Sequence, residues 1–249
     1  ISNNTINQGT YGIYNYGSSA TRNENVVIHN NDILNPWYYG AYNYYQENLQ
    51  LTDNYITNNN GVFYRAQSTA YAYGYGLYAY QINGANVSIS NNYVHGQNKW
   101  PQYGMYTGYI SGDVFSMAKI TNNRIVVGDT AQSNTGTFTY WYATYFYYNL
   151  FTQVANNSIV IRNTGSTSNN NRTTYAYNGQ YNFYHNNIFA NYQSNGYTMY
   201  SYLTAIREAD NNNYISNGSS NPFYSGSTQA DLAAWQTATG QDSNSLDVF

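Results

Sequence analysis

Chemistry needs charged or nucleophilic side chains in company, and this chain has few of them: 11 Asp and Glu, 8 Lys and Arg and 3 His in 249 residues. Glu24 and Glu47 stand four residues before Ile28 and Leu51, at one offset in two successive repeats, with Arg22 close by. Carboxylates so paired are what a glycosidase requires, roughly 5–10 Å apart. Asp32 and Asp53 are expected in adjacent turns near His29. This is the neighbourhood in which to look for catalysis. The alternative, which the residues favour, is that these are ordinary turn and surface positions, so no catalytic residue is assigned beyond Glu24, Glu47 and Arg22 as the place to test. His29, His95 and His185 fall in different repeats, which argues against a three-histidine zinc site. No metal and no cofactor is expected. Arg207, Glu208 and Asp210 read as an edge charge patch that discourages further strand stacking. Asn-x-Ser/Thr matches such as those at Asn86 and Asn171 are expected by chance in so Asn-rich a chain.

The elements that position these residues are announced by a repeat. One six-residue phrase recurs: apolar, x, Asn-like, Asn, x, β-branched. It runs Ile1 to Ile6, Ile28 to Ile33, Leu51 to Ile56, Ile89 to Val94, Ile120 to Ile125, Val154 to Ile159, Phe183 to Ile188 and Asp210 to Ile215. In that register the fourth position is Asn4, Asn31, Asn54, Asn92, Asn123, Asn157, Asn186 and Asn213, and Asp210 is the single polar residue in the first. An apolar residue on each side of an Asn pair predicts two short strands joined by a tight turn. Asn tolerates the left-handed backbone, and stacked Asn amides form hydrogen-bonded ladders. The phrase therefore predicts an all-β chain: a single-stranded, right-handed parallel β-helix of about eight coils, with loops of unequal length leaving the stack. At ~4.8 Å per coil the stack spans about 40 Å.

A second phrase lies between the Asn turns: Gly12 to Tyr16, Gly40 to Tyr44, Gly76 to Tyr80, Gly104 to Gly108 and Thr198 to Tyr202. Strand alternation sends Ile13, Ala41, Leu77, Met105 and Met199 inward, followed by Asn15, Asn43, Ala79, Thr107 and Ser201. It sends outward two files of tyrosine: Tyr14, Tyr42, Tyr78, Tyr106 and Tyr200, and Tyr16, Tyr44, Tyr80 and Tyr202. Tyr140, Tyr142, Tyr175 and Tyr177 are expected to carry the files through the fifth and sixth coils. So large an aromatic face on one side of a solenoid either stiffens it or makes contacts, and Tyr suits contact because a flat apolar ring carries a wet hydroxyl.

Composition narrows the partners. With 8% charged residues and a net charge of -3, nucleic acid is excluded as an expected partner, and so is electrostatic docking to lipid. There is no Cys, hence no disulfide framework. No apolar run approaches the ~20 residues of a membrane span. The repeat is read as residues 1–217, followed by a segment 218–249 with turn-rich residues up to Pro222, a capping Asp231 and a short helix around Leu232, Ala233, Trp235 and Ala238, stopped near Gly240. Because the chain opens within a repeat, it reads as a piece of something longer.

The phrase apolar-x-Asn-Asn-x-Ile followed by Gly-apolar-Tyr resembles the parallel β-helix repeat of the pectin-lyase-like superfamily, over residues 1 to about 215. The tail from Leu232 to Ser245 is similar to a segment of large secreted β-helix proteins of Bacteroidota-type bacteria. The first resemblance implies the fold and, as one possibility, a polysaccharide lyase or hydrolase; a lyase of that kind needs a carboxylate cluster for Ca2+ and an Arg or Lys base. The second implies an extracellular or outer-surface location. The expectation that follows is a non-catalytic surface module for adhesion, matrix or filament assembly. Its partners would be polysaccharide, other copies of itself or adjacent domains, with a polysaccharide-degrading enzyme as the alternative.

Overall fold

A computed structural model describes residues 1–59, 74–96, 100–128, 141–162, 168–193, 195–217 and 219–248. The chain winds as a parallel β-helix with three sheets, of nine, seven and ten strands. Each turn of the helix repeats one order. A strand of the seven-stranded entry sheet (Val27–His29) meets the Asn turn, and a strand of the nine-stranded exit sheet (Asp32–Leu34) follows. The chain then bends into a longer strand of the ten-stranded tyrosine sheet (Tyr39–Glu47) and returns to the entry sheet at Gln50–Thr52. Neighbouring coils pair in parallel, as in Ile28 with Leu51 and Ile33 with Ile56.

The two asparagines of the turn do different work. The first takes the left-handed backbone: Asn3, Asn30, Asp53, Asn91, Asn122, Asn156, Asn186 and Asn211 all have φ between 52° and 58°. The second points inward and builds the ladder. Asn92 is buried; its Nδ2 donates to Leu51 O at 2.8 Å and Asn123 Oδ1 at 3.0 Å, while its Oδ1 accepts from Asn54 N and Nδ2. Every capacity of the amide is used, which is the condition for burying it without penalty. The same bonds link Asn4, Asn31, Asn54, Asn92, Asn123, Asn157, Asn187 and Asn212 in succession.

Two of the predicted ladder positions are therefore one residue off. Asn186 is the exposed left-handed residue of its turn, and Asn213 lies on the exit strand Asn213–Ser216, half-buried; the ladder passes through Asn187 and Asn212. The cause is the residue behind the turn. In the last two repeats the inward position is aromatic, Phe189 and Tyr214, both fully buried, while Ile188 is 40% exposed and Ile215 sits between core and solvent. Reading the β-branched residue as the inward one slips the register by one, and in a strand a slip of one reverses the faces. In the true register the first position is Tyr184 and Ala209, both buried, and the apparent exception of Asp210 disappears.

Inward columns close the core. Ile28, Leu51, Ile89, Ile120 and Val154 line the entry sheet, Ile33, Ile56, Val94, Ile125 and Ile159 the exit sheet, and Ile13, Ala41, Leu77 and Met105 the tyrosine sheet, each nearly free of solvent. Burying one such side chain contributes ~1.5–3 kcal/mol, and stacking repeats it coil by coil. At the corner before the tyrosine sheet the backbones come too close for a side chain: a Cβ on Gly76 would lie 2.3 Å from Val94 Cγ1 and 2.5 Å from Gly104 O. That is the reason the tyrosine phrase begins with glycine in the first coils.

The sheets also run past residue 217. Phe223–Ser225 pairs with Tyr197–Ser201 in the tyrosine sheet, and Leu246–Val248 pairs with Asn213–Ser216 in the exit sheet. Between them lies the helix Leu232–Thr239, capped by Asp231 accepting from Ala234 N and ended by left-handed Gly240. Its Leu232 and Trp235 are buried in the same core as the coils. The C-terminal segment thus forms a further turn of the solenoid in which a helix stands in the place of the entry strand.

Candidate functional site

The outer face of the tyrosine sheet carries three files of rings rather than two. The central file runs Tyr14, Tyr42, Tyr78, Tyr106, Tyr145, Tyr175, Tyr200, Tyr224, each the register partner of the next. Beside it, Tyr16, Tyr44 and Tyr80 lead to Gly108, after which Tyr147 and Tyr177 resume the file and Tyr202 packs on Tyr177. The third file is Tyr11, Tyr39, Tyr75, Tyr103 and Tyr142, then Arg172, then Tyr197. Its tyrosines precede the Gly phrase. Because the chain bends at the glycine, Tyr11 and Tyr14, three residues apart, share a face and meet edge-on at 5.0 Å. The recurrent Tyr-Gly-x-Tyr of the first coils was the available signal for this file. In the fifth coil the central and outer files use Tyr145 and Tyr147, and Tyr142 belongs to the third file; Tyr140 lies outside the described residues.

The rings stack on one another. Centroid separations along the central file are 5.2 Å from Tyr14 to Tyr42, 4.9 Å from Tyr42 to Tyr78 and 5.0 Å from Tyr78 to Tyr106, with planes within 11°. Stacking half-buries most of them, so the sheet presents ring edges and hydroxyls. Ring faces open to solvent at the first coil, where Tyr14 and Tyr16 are 56% and 52% exposed. Burial, then neighbouring phenols, push the hydroxyl of Tyr42 up to about 12; for Tyr44 burial and the Tyr45 hydroxyl do the same, to about 12. Tyr39, Tyr78 and Tyr106 are driven further in the same direction by burial. These phenols remain neutral hydrogen-bonding groups at physiological pH.

Arg172 is the cation set among these rings. Its guanidinium carbon lies 3.9 Å from the Tyr200 centroid, 4.1 Å from Tyr175 and 5.2 Å from Tyr142, and Nη1 donates to the Tyr142 hydroxyl at 3.1 Å. Desolvated cation–π contacts of this kind are worth ~2 kcal/mol, so Arg172 fastens the file it interrupts.

The acidic neighbourhood assembles only in part. Glu24 and Glu47 are register partners on the adjacent strands Asn23–Glu24 and Tyr39–Glu47, so the two carboxylates share one face, with Asn83 next in the column. Arg22 turns away from them: its Nη1 donates to the carbonyls of Gln46 and Gln81, and the guanidinium lies over the Tyr45 ring. It is held by backbone and aromatic contacts rather than aimed at a substrate. Asp53 pairs with His29 at 3.2 Å, and Thr52 Oγ1 lies 3.0 Å from the same Nδ1. Asp32 opens the strand Asp32–Leu34 in register with Tyr55, outside that pair. His185 reaches Glu208 at 3.6 Å on the same sheet, five coils further on. Among the described residues no group of three or more His, Asp or Glu is placed to hold a metal ion.

A search of family models, curated proteins and solved structures finds no match to this chain.

Proposed function

We propose that the chain is a non-catalytic contact module that binds an extended polysaccharide along its tyrosine sheet, at a cell surface or in an extracellular matrix. The observation that carries this reading is the central tyrosine file. It offers identical rings and hydroxyls at a nearly constant interval of 4.9–5.2 Å over the first four coils. That interval is close to the advance of one pyranose along an extended β-linked glycan, so successive hydroxyls meet successive sugars, with alternate sugars turned over. Tyrosine fits the role: along the file its ring edges and hydroxyls meet the sugars, the hydroxyls exchanging hydrogen bonds with sugar oxygens, and at the first coil the open faces of Tyr14 and Tyr16 can pack on a sugar's C–H face. The ladder and the core hold the rings in place beforehand, so little conformational freedom is lost on binding.

The alternative, a lyase or hydrolase like members of the pectin-lyase-like superfamily, is favoured by the register pairing of Glu24 with Glu47. Against it stands the commitment of Arg22 to backbone carbonyls. The test is co-sedimentation with cellulose, chitin and mannan, alongside an assay for new reducing ends and unsaturated products. Binding without product, weakened at least tenfold in Tyr14→Ser/Tyr42→Ser, supports the contact module. Product that vanishes in Glu47→Gln makes it an enzyme, and unaltered binding in the tyrosine variant removes the sheet from the account.

A further inference from the structure

The central tyrosine file is continuous from one end of the described solenoid to the other. After Tyr106 the centroid separations are 5.1 Å to Tyr145, 4.6 Å to Tyr175, 5.0 Å to Tyr200 and 4.0 Å to Tyr224. No step from Tyr14 onward exceeds 5.2 Å. The last step is the shortest: Tyr200 and Tyr224 are register partners whose rings lie 6° from parallel. At 4.0 Å between nearly parallel rings, the two phenols lie face to face in van der Waals contact.

Most other groups that oxidants prefer are missing or hidden. There is no Cys, Met105 and Met199 are buried, and Trp100, Trp141 and Trp235 are buried, leaving Met117, which is partly exposed, and Trp37 at 43% exposure. Phenols dominate what an oxidant meets, and Tyr14 offers the most accessible ring of the central file.

We propose that the central file is a site of oxidative modification, in which one-electron oxidation entering at exposed rings passes along the stack and ends in a covalent bond between Tyr200 and Tyr224. The reaction needs a peroxide and a peroxidase-type catalyst as oxidant. Two phenols each lose an electron and the hydroxyl proton, and the two phenoxyl radicals join through their ortho carbons. Each joined carbon then releases its hydrogen as a proton and each oxygen regains one, restoring two phenols. The O–O bond of one hydrogen peroxide breaks, taking up two electrons and two protons to give two waters. The protein is left two hydrogens lighter and its last two tyrosine-sheet coils are welded together.

The chain is well suited to the test, because cleavage after Arg207 puts Tyr200 and Tyr224 in different tryptic peptides. The folded protein is treated with peroxidase and hydrogen peroxide, digested, and mapped by mass spectrometry and dityrosine fluorescence. The expected product joins peptide 173–207 to peptide 208–249 within a single chain. It is absent in Tyr224→Phe, reduced several-fold in Tyr106→Phe, which keeps the ring but interrupts the relay, and unchanged in Tyr192→Phe, outside the files. Cross-links at Tyr55 and Tyr93 or at Tyr181 without the 200–224 product overturn the site, as does an equal yield in urea-unfolded chain. A full yield in Tyr106→Phe overturns the relay.

Discussion

Asn212 Nδ2 donates to Asp242 Oδ1 at 2.9 Å, and at the next level of the stack Ser245 Oγ accepts from Asn212 N at 2.8 Å. The asparagine ladder therefore ends in a buried carboxylate and a serine. Asp242 also accepts from the Tyr214 hydroxyl, the Trp235 indole and Ser245 Oγ, joining ladder, core and helix at one side chain. Its truncation leaves those donors buried without an acceptor, at ~1–3 kcal/mol for each group left unpaired. Asp242→Ala is expected to lower stability by ~3 kcal/mol or more in urea titration, with Asp231→Ala, which removes only the exposed helix cap, costing about 1 kcal/mol.

The register of the seventh turn gives a paired test. Asn187 is buried and bonded to Asn157, Asn212 and Val154 O, whereas Asn186 is exposed and needed only for its left-handed backbone. Asn187→Ala is expected to cost at least ~2 kcal/mol through the amides it strands. Asn186→Gly, which takes the same backbone without strain, is expected to stay within ~0.5 kcal/mol. Equal costs at the two positions would restore the register that the sequence pattern alone suggests.

How much of this was legible follows from which residue type did the work. The repeat phrase exposed the ladder at Asn31, Asn54, Asn92 and Asn123 because their inward neighbours are aliphatic. It slipped at Asn187 and Asn212 because Phe189 and Tyr214 fill the core with rings that composition alone does not distinguish from surface aromatics. The tyrosine face was legible by alternation in Tyr14, Tyr42, Tyr78 and Tyr106. The third file was not, because the bend at Gly12 and its equivalents interrupts the period of two. Arg22 looked like a partner for Glu24 by proximity in sequence, yet the nearby carbonyls of Gln46 and Gln81 satisfy its guanidinium instead.

Alkali should unfold the chain by a route the tyrosine sheet dictates. An unfolded phenol ionises near ~10, whereas burial holds Tyr42, Tyr44 and Tyr147 up at about 12 and raises Tyr78, Tyr106 and Tyr145 further. Above pH ~10 the folded state retains protons that the unfolded state has lost, so stability falls as pH rises. Urea midpoints are expected to be flat from pH 7 to about 9 and to drop steeply beyond 10, in step with tyrosinate absorbance.

Asp247 obeys the same rule at a carboxylate. Burial pushes its pKa above the ordinary carboxyl value, on the strand Leu246–Val248 that closes the exit sheet. The folded state then binds its proton more tightly than the unfolded state, and ionisation at neutral pH works against folding. Asp247→Asn is expected to raise Tm at pH 7, and the gain is expected to vanish as pH falls below ~4, where the unfolded carboxyl is also protonated.

The central claim is that this molecule acts through its tyrosine sheet. It is tested most directly by covalent footprinting of tyrosine hydroxyls by acetylation, with and without a bound insoluble glycan such as cellulose. Protection is expected at Tyr14, Tyr16, Tyr42 and Tyr44, while Tyr55 and Tyr181, which lie off that sheet, stay reactive. Reactivity unchanged across the tyrosine sheet in glycan-bound protein would contradict it.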